Sequence, residues 1–324
     1  PLRLDLALNG QQFVDGAAGA PHLFHRHAPP LLLSLSPASG PVGGDTLVRV
    51  AGNASLYNVE REDTVCKFGD VWVNGSADDR GGMLCRSPPG VTTAALELSL
   101  NAQQFTTARL QFLAYQPPGP SELLPPIGPA AGATSILVLG SNLSAHSQPT
   151  PLGTDLRCRF GDSDKDYYPA GAAALSHGAA RGLATPRPGL DGSYAGDVEA
   201  FFELLPNGTA ALSCTSPPRP DASKYADGAE AEEVRVTLNG QQYSAPVPFR
   251  VRPAPRLDGI WPRSTFAHGG SVVTFTGVGF WDDLGGADAA LLRCRVGATS
   301  VPATFVNSTS MTCTMPDGAP AGAY

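Results

Sequence analysis

A pattern of turns, cysteines and alternating strands recurs three times along this chain of 324 residues. Each copy opens with a turn rich in Pro and Gly, continues with an apolar run, and carries one Cys beside a Gly and a second Cys before Pro. The first two copies close with Leu-Asn-x-Gln-Gln-aromatic, and a further instance of that closing sequence precedes the first copy. Internal repetition of this kind constrains the fold more than any single motif. The chain is therefore predicted to consist of tandem units.

The spacing of the copies indicates the type of unit. Asn9 and Asn101 are equivalent residues 92 positions apart, as are Cys66 and Cys158. Solenoid repeats are shorter, about 20 to 50 residues, whereas an immunoglobulin-like sandwich has about 100. The units are thus expected to be separate domains, each with its own core.

The repeat also predicts the domain boundaries. The first closing sequence has no opening half before it, and the third copy stops before its own closing sequence, so we expect the chain to be a window of a longer protein. The predicted segments are the last strands of a preceding repeat at 1–27, a repeat at 28–116, a repeat at 117–252 with an Ala/Gly/Pro-rich insert at about 164–197, and a truncated repeat at 253–324.

Composition and periodicity both predict β-structure. The chain holds 37 Gly, 31 Pro and only 16% charged residues, which is typical of many turns and short strands. Residues 46–52, 135–140 and 271–277 alternate apolar and polar side chains with β-branched residues, as half-buried strands do. The Asn-Gly or Asn-Ala of the closing sequence is expected to form a tight hairpin turn, with Gln-Gln-aromatic starting the last strand. A structural role for these Gln residues is favoured over a ligand-binding role.

The six cysteines fall two per copy at equivalent places, and the repeat therefore predicts one disulfide in each domain. A zinc knuckle needs closer spacing and further ligands. Disulfides persist in oxidising compartments, which favours an extracellular protein. The predicted pairs are Cys66 with Cys85, Cys158 with Cys214, and Cys294 with Cys313.

Five N-glycosylation sequons also favour an extracellular or cell-surface location, although Asn, Ser and Thr are common turn residues as well. The predicted acceptors are Asn53, Asn74, Asn142, Asn207 and Asn307.

The order of motifs resembles the IPT/TIG family of immunoglobulin-like domains. The resemblance rests on a Pro/Gly turn such as 37–44, a strand that ends in Gly, the Cys-x-Phe-Gly corner and the Cys-x-x-Pro strand. It covers most of 28–324 and implies tandem β-sandwiches that bind partners or act as spacers, without catalytic residues. The second copy departs by its insert, and the third by Val296 in place of Phe.

A search for reactive or metal-binding residues leads to the same expectation of no enzyme, cofactor or metal. No nucleophile elbow, phosphate-binding loop or His-Glu-x-x-His sequence is present. Asp162, Asp164 and Asp166 alternate as calcium ligands could, but the EF-hand pattern fails at Tyr167 and Ala173. His22, His25 and His27 form a histidine cluster that could bind zinc or copper, for which an exposed linker is the favoured interpretation.

The net charge and the linkers restrict the possible functions of the chain. A net charge of −7 opposes binding to nucleic acid, and no apolar run of about 20 residues exists to span a membrane. Short Pro-rich linkers between compact domains predict a stiff rod. The main hypothesis is a structural or adhesive protein that binds protein partners or self-associates, for example in a mastigoneme-like ciliary filament.

Two alternatives remain open at this point. One is the ectodomain of a plexin-like receptor. The other is a set of accessory domains of a secreted polysaccharide-acting enzyme, for which Trp72, Trp261 and Trp281 are candidate platforms, although an isolated Trp is expected to fill a core or an interdomain seam.

Overall fold

The computed structural model describes residues 2–14, 22–24, 26, 28–53, 64–78, 81–143, 155–161, 197–219, 230–266, 268–282 and 292–317. Every regular element within these ranges is a β-strand, and the all-β prediction is confirmed. None of the described residues forms a helix long and apolar enough to cross a membrane.

The strands group into one small pair and three larger sheets. The pair consists of β1 (Leu2–Leu4) and β2 (His22–Phe24), which run antiparallel. The first large sheet, called here the first sandwich, contains β3 (Leu32–Ser36), β4 (Ser39–Pro41), β5 (Leu47–Gly52), β6 (Val65–Phe68), β7 (Val71–Asp78), β8 (Gly82–Arg86), β9 (Ala94–Ser99) and β10 (Leu110–Tyr115).

The second sandwich repeats this set of strands, and the third repeats part of it. The second contains β11 (Gly119–Leu124), β12 (Ile127–Pro129), β13 (Ser135–Ser141), β14 (Arg157–Phe160), β15 (Asp197–Leu204), β16 (Ala210–Thr215), β17 (Glu230–Thr237) and β18 (Val247–Arg252). The third contains β19 (Arg256–Trp261), β20 (Val272–Val278), β21 (Arg293–Val296), β22 (Thr299–Asn307) and β23 (Ser310–Thr314).

One strand joins the two faces of the first sandwich. The strand order is β3-β5-β8-β7-β6-β9-β10-β4. β7 pairs through residues 71–74 with β6 and through residues 75–78 with β8, so it passes from one face to the other. The second sandwich has the equivalent order, β11-β13-β16-β15-β14-β17-β18-β12. The third has the order β19-β20-β23-β22-β21, and the three sheets fall inside the predicted segments 28–116, 117–252 and 253–324.

The opening segment of each eight-stranded sandwich is divided between the two faces. β3 pairs antiparallel with β5 as far as Ser36, which lies opposite Arg49. The chain then crosses at Pro37, and β4 pairs parallel with β10 on the other face. The second sandwich does the same at Pro125, with β12 parallel to β18. Each crossing leaves the start of β5 or β13 without a strand of its own sandwich on one side.

The packing of the opening turn explains why Gly and Pro recur together in the sequence. Gly44 has a φ of +80°, and a Cβ placed on it would lie 2.6 Å from the backbone nitrogen of Pro89. Gly132 meets Pro218 in the same way. Only glycine tolerates both the left-handed conformation and this close approach. The Gly of the turn motif and the Pro that follows the second Cys therefore pack against each other in each of these two domains.

Each sandwich encloses a core that includes its own disulfide. Phe68 packs edge-to-face on Phe112 in the first sandwich with ring centroids 5.3 Å apart, and Phe160 packs on Phe249 in the second at 5.7 Å. The structure joins Cys66 to Cys85, Cys158 to Cys214 and Cys294 to Cys313, with Cα–Cα distances of 6.0, 6.4 and 6.4 Å. One disulfide per repeat is the predicted arrangement.

The prediction that Gln-Gln-aromatic starts the last strand is wrong. The last strands begin at Leu110 and Val247, several residues after Phe105 and Tyr243. The Asn side chain of the closing sequence holds the backbone of the Gln-Gln pair in a turn, which keeps these residues out of the ladder.

Candidate interdomain site

The Asn-x-Gln-Gln turn has the same internal geometry in its three copies. The Asn Oδ1 atom accepts hydrogen bonds from the backbone N–H groups of both Gln residues, at 3.0 to 3.3 Å. The Asn Nδ2 group donates to Oε1 of the second Gln. The intervening residue has a positive φ in each copy, namely +72° at Gly10, 55° at Ala102 and +71° at Gly240. The hydrogen bonds that shape this turn all lie within it, so its conformation does not depend on a neighbouring domain.

In the second sandwich this turn docks on the first sandwich. The carboxamide of Gln241 pairs with the backbone of Leu47: the Leu47 N–H donates to Oε1 at 2.9 Å, and Nε2 donates to the Leu47 carbonyl at 2.9 Å. These Leu47 groups lie on the side where β3 would continue if the chain did not leave at Pro37. The Gln241 side chain therefore substitutes for one residue of the missing strand.

Gln242 and Asn239 complete the contact. Gln242 Nε2 donates to the Asp45 carbonyl at 2.9 Å, and the Thr46 hydroxyl donates to Gln242 Oε1 at 3.1 Å. Asn239 Nδ2 lies 3.4 Å from both the Ser39 carbonyl and the Thr46 hydroxyl. Thr46 is completely buried and Asn239 is only 2% exposed. We name residues 45–47 the slot and residues 239–242 the docked turn.

Equivalent slots exist in the other two sandwiches. Val48, Ile136 and Val273 each lie opposite the second Cys of their sandwich, which aligns residues 133–135 and 270–272 with the slot. The first slot residue has a positive φ throughout, with 65° at Asp45, 62° at Ala133 and 78° at Gly270. Ser135 and Val272 are exposed where Leu47 is half-buried under Gln241. The slot backbone therefore forms with or without a partner.

A charged cluster of Arg159 and Asp197 contacts Tyr243, the residue that follows the docked turn. Arg159 binds Asp197 through two hydrogen bonds of 2.6 and 2.8 Å, and its guanidinium lies 3.8 Å over the Tyr243 ring. The Tyr243 hydroxyl donates to Asp197 Oδ2 at 3.1 Å. Burial raises the pKa of Tyr243, and the Asp197 carboxylate raises it further. The phenol therefore stays neutral and keeps donating.

The same positions in the first sandwich carry different chemistry. The strand registers align Lys67 with Arg159 and Trp72 with Asp197, while Phe105 takes the place of Tyr243 in the closing sequence. Trp72 and Phe105 contact one another with centroids 4.9 Å apart, and the Lys67 ammonium lies 5.9 Å from the Phe105 centroid. Trp72 remains 54% exposed, and among the described residues no side chain covers this aromatic pair as Arg159 covers Tyr243.

The predicted glycosylation acceptors differ in accessibility. Asn74, Asn207 and Asn307 are exposed. The side chain of Asn53 accepts a hydrogen bond from the Leu31 N–H at 3.2 Å, and that of Asn142 donates to the Pro117 carbonyl at 3.0 Å.

The side chains of the remaining metal-binding candidates are not described by the structure. Asp162, Asp164 and Asp166, His25 and His27, and the insert up to Gly196 lie outside the described residues, as does the side chain of His22. Among the residues that the structure describes, no three His, Cys, Asp or Glu side chains lie close enough together to hold a metal ion. Trp72 and Trp261 are 54% and 74% exposed, so neither fills the core of its domain, whereas Trp281 is half-buried.

The sequence pattern predicted that the Gln residues start the last strand, and it did not predict their contact with the neighbouring sandwich. In the residues described, the first Gln side chain takes no part in the hydrogen bonds that shape the turn. Its recurrence at Gln11, Gln103 and Gln241 therefore needed another explanation. That recurrence was the available signal for docking.

Comparison with known protein families agrees with this architecture. The model of the IPT/TIG domain matches residues 255–324. Residues 255–324 thus form an IPT/TIG domain within a tandem array of immunoglobulin-like sandwiches. The sandwiches preceding the matched IPT/TIG domain share its strand order around the disulfide, as far as the third sandwich is described.

The chain is also similar to plexins. It is 24% identical over 300 residues to Plexin-2 of Caenorhabditis briggsae and 22% identical over 303 residues to Plexin-2 of Caenorhabditis elegans. Each match covers 89% of this chain and 14% of the plexin, so the chain spans a small part of these relatives. Among solved structures, the extracellular region of plexin A4 matches 97% of this chain and 23% of that chain, at 14% identity and a TM-score of 0.44.

Proposed function

We propose that this chain is a non-catalytic segment of the extracellular stalk of a plexin-like cell-surface protein, in which tandem IPT/TIG domains hold binding surfaces at a fixed spacing. The observation that carries the proposal is the docked turn. Its side chains bind the backbone of the preceding domain, so the contact fixes the orientation of consecutive domains rather than recognising a diffusing ligand.

The disulfides and the plexin relatives support the location. A disulfide in each sandwich is typical of proteins that fold in an oxidising compartment. The relatives favour the plexin-like ectodomain over the ciliary filament of the main sequence hypothesis. Protein partners and N-linked glycans on the exposed acceptors belong to this proposal, and self-association into a filament is retained only as an outcome of its test.

Small-angle X-ray scattering of the chain tests the rigid-spacer role. We expect the wild type to scatter as one extended particle, and a Gln241→Ala/Gln242→Ala variant to show a broader distribution of interatomic distances. Gln103→Ala/Gln104→Ala is the matched control, because it makes the same change in a turn that docks on no described residue. Equal scattering of all three proteins would contradict the proposed role of the contact between the docked turn and the slot in holding the domains rigidly.

Electron microscopy and peptide mapping of the secreted protein test the stalk itself. Isolated rods with one disulfide per domain are the expected result. Ordered polymers would favour the filament hypothesis instead. A free Cys66, or a bridge from Cys66 to another domain, would contradict the extracellular module as described.

A further inference from the structure

The outer face of β7 brings an aromatic surface and a glycosylation acceptor together. Trp72, Asn74 and Ser76 alternate on this strand and are all exposed, whereas Val73 and Gly75 are half-buried. A Cβ added to Gly75 would lie 2.9 Å from Thr64 and 3.1 Å from the sulfur of Cys66, which places position 75 toward the core. Side chains two residues apart on a strand share a face. Trp72, Asn74 and Ser76 therefore all point outward.

We propose that Asn74 carries an N-linked glycan whose first N-acetylglucosamine packs on the face of Trp72. The residues at 74–76 form the sequon, and Trp72 precedes the acceptor by two positions. Residues i and i+2 of a strand are about 7 Å apart, so the sugar attached to Asn74 reaches the indole beside it. The C–H bonds of a pyranose ring carry a small positive charge that complements the negative face of an aromatic ring.

In the second sandwich, protein side chains cover the equivalent surface. There Arg159 covers the aromatic residue of the closing turn at 3.8 Å, and Asp197 occupies the place of Trp72. In the first sandwich the Lys67 ammonium stays 5.9 Å from the Phe105 centroid, and Trp72 is left half exposed. A glycan on Asn74 would cover the Trp72–Phe105 pair as the Arg159 guanidinium covers Tyr243.

The covalent step is the ordinary transfer of a lipid-linked oligosaccharide. The Asn74 Nδ2 atom forms a bond to the anomeric carbon of the first sugar, the bond from that carbon to a polyprenyl pyrophosphate breaks, and Nδ2 loses one proton. The donor is a polyprenyl-pyrophosphate oligosaccharide of the secretory pathway. The inference therefore rests on the extracellular location in the proposed function.

The test combines site occupancy with the accessibility of Trp72. The full chain is secreted from a eukaryotic host, glycan occupancy is measured by mass spectrometry, and hydroxyl-radical labelling reports the exposure of Trp72. In a Ser76→Ala variant, which loses this one sequon, labelling of Trp72 is expected to rise roughly twofold because a sugar ring no longer shields one face of the indole.

Thr209→Ala is the matched control. It removes the sequon of Asn207, an exposed acceptor with Leu205 rather than an aromatic residue two positions before it. Labelling of Trp72 should not change in this variant. A Trp72→Val variant should still be glycosylated at Asn74, and that glycan should be trimmed faster by an endoglycosidase than in the wild type.

Four results would count against the inference. Equal labelling of Trp72 in the wild type and Ser76→Ala would show that the sugar does not cover the indole, and equal trimming in Trp72→Val would show the same. Occupied Asn207 with unoccupied Asn74 would refute the site while leaving the extracellular stalk intact. A secreted chain without any occupied acceptor would count against both proposals.

Discussion

The turns at 101–104 and 239–242 share one motif and one internal geometry but have different surroundings. Gln103 and Gln104 are exposed, whereas their counterparts Gln241 and Gln242 are half-buried against the preceding sandwich. Asn101 is half-buried and Asn239 is 2% exposed. The turn is therefore formed by its own local sequence, and contact with a neighbouring slot makes it part of an interdomain contact.

The first and second slots differ in burial in the same way as the two turns. Thr46 is fully buried beneath the docked turn, while Thr134 in the second slot is half-buried and Ser135 is exposed. Both threonines keep their N–H bonded to a serine hydroxyl, Thr46 to Ser87 at 3.0 Å and Thr134 to Ser216 at 3.1 Å. The slot conformation is thus maintained inside its own domain, and docking adds only the contacts that cross the junction.

Replacing the Asn of each turn should give the largest difference. Asn239→Ala removes the acceptor of two backbone N–H groups and the donor to the slot, in a buried position. We expect the second sandwich to lose about 2–3 kcal/mol of unfolding free energy, because buried donors are left unsatisfied. Asn101→Ala exposes its freed groups to water and should cost about 1 kcal/mol or less. Denaturant unfolding measures the loss of unfolding free energy in both variants. Equal losses would show that Asn239 contributes no more to stability than the exposed Asn101.

Gln241→Ala should have the next largest effect and a local signature. In the wild type the Leu47 N–H donates to Gln241. The variant leaves this N–H exposed to water, so hydrogen exchange at Leu47 should accelerate. The loss in stability is expected to be about 1–2 kcal/mol, the net value of the two hydrogen bonds. Gln103→Ala should change neither exchange at Leu47 nor stability. Unchanged protection of Leu47 in Gln241→Ala would show that another group satisfies this amide.

Thr46→Val isolates the contribution of one hydroxyl. The side chains have nearly the same shape, but valine cannot donate to Gln242 or accept from Asn239. We expect a loss of about 1 kcal/mol at the buried position. Thr134→Val should be nearly neutral, since the second slot has no docked turn among the described residues. Calorimetry of both variants measures the difference, and a neutral Thr46→Val would remove the hydroxyl from the joint.

The sequence predicted most of the features that recur from one domain to the next, but it placed Gln-Gln-aromatic wrongly at the start of the last strand. The pairing of Cys66 with Cys85 and the positions of strands such as β5 follow from patterns that recur with each copy. The close contact of Gly44 with Pro89 also corresponds to two recurring motifs, although the sequence alone did not show that they touch.

The joint could not be predicted in the same way. Gln241 and Leu47 are 194 positions apart, and their contact depends on how one domain is placed on another. The slot exists only because β3 leaves the ladder before reaching Leu47, which is a matter of strand register rather than composition. Periodicity reports which face of a strand is buried. It does not report which backbone groups at the end of a strand lack a partner.

The smallest predicted effect concerns the aromatic residue that closes each turn, Phe105 in one domain and Tyr243 in the other. Burial and the Asp197 carboxylate raise the pKa of Tyr243 in the folded state above the ordinary value of about 10. A group with a raised folded pKa contributes stability that is present below its unfolded pKa and is lost as the pH rises through the folded value. The second sandwich should therefore weaken in alkali as Tyr243 is forced to ionise beside Asp197. Tyr243→Phe, which makes the site resemble the first domain, should remove this part of the pH dependence and cost about 0.5–1 kcal/mol at neutral pH for the lost hydrogen bond. Ultraviolet titration of the phenols together with unfolding at several alkaline pH values measures both, and a Tyr243 that ionises at the ordinary pKa would show that the carboxylate does not constrain it.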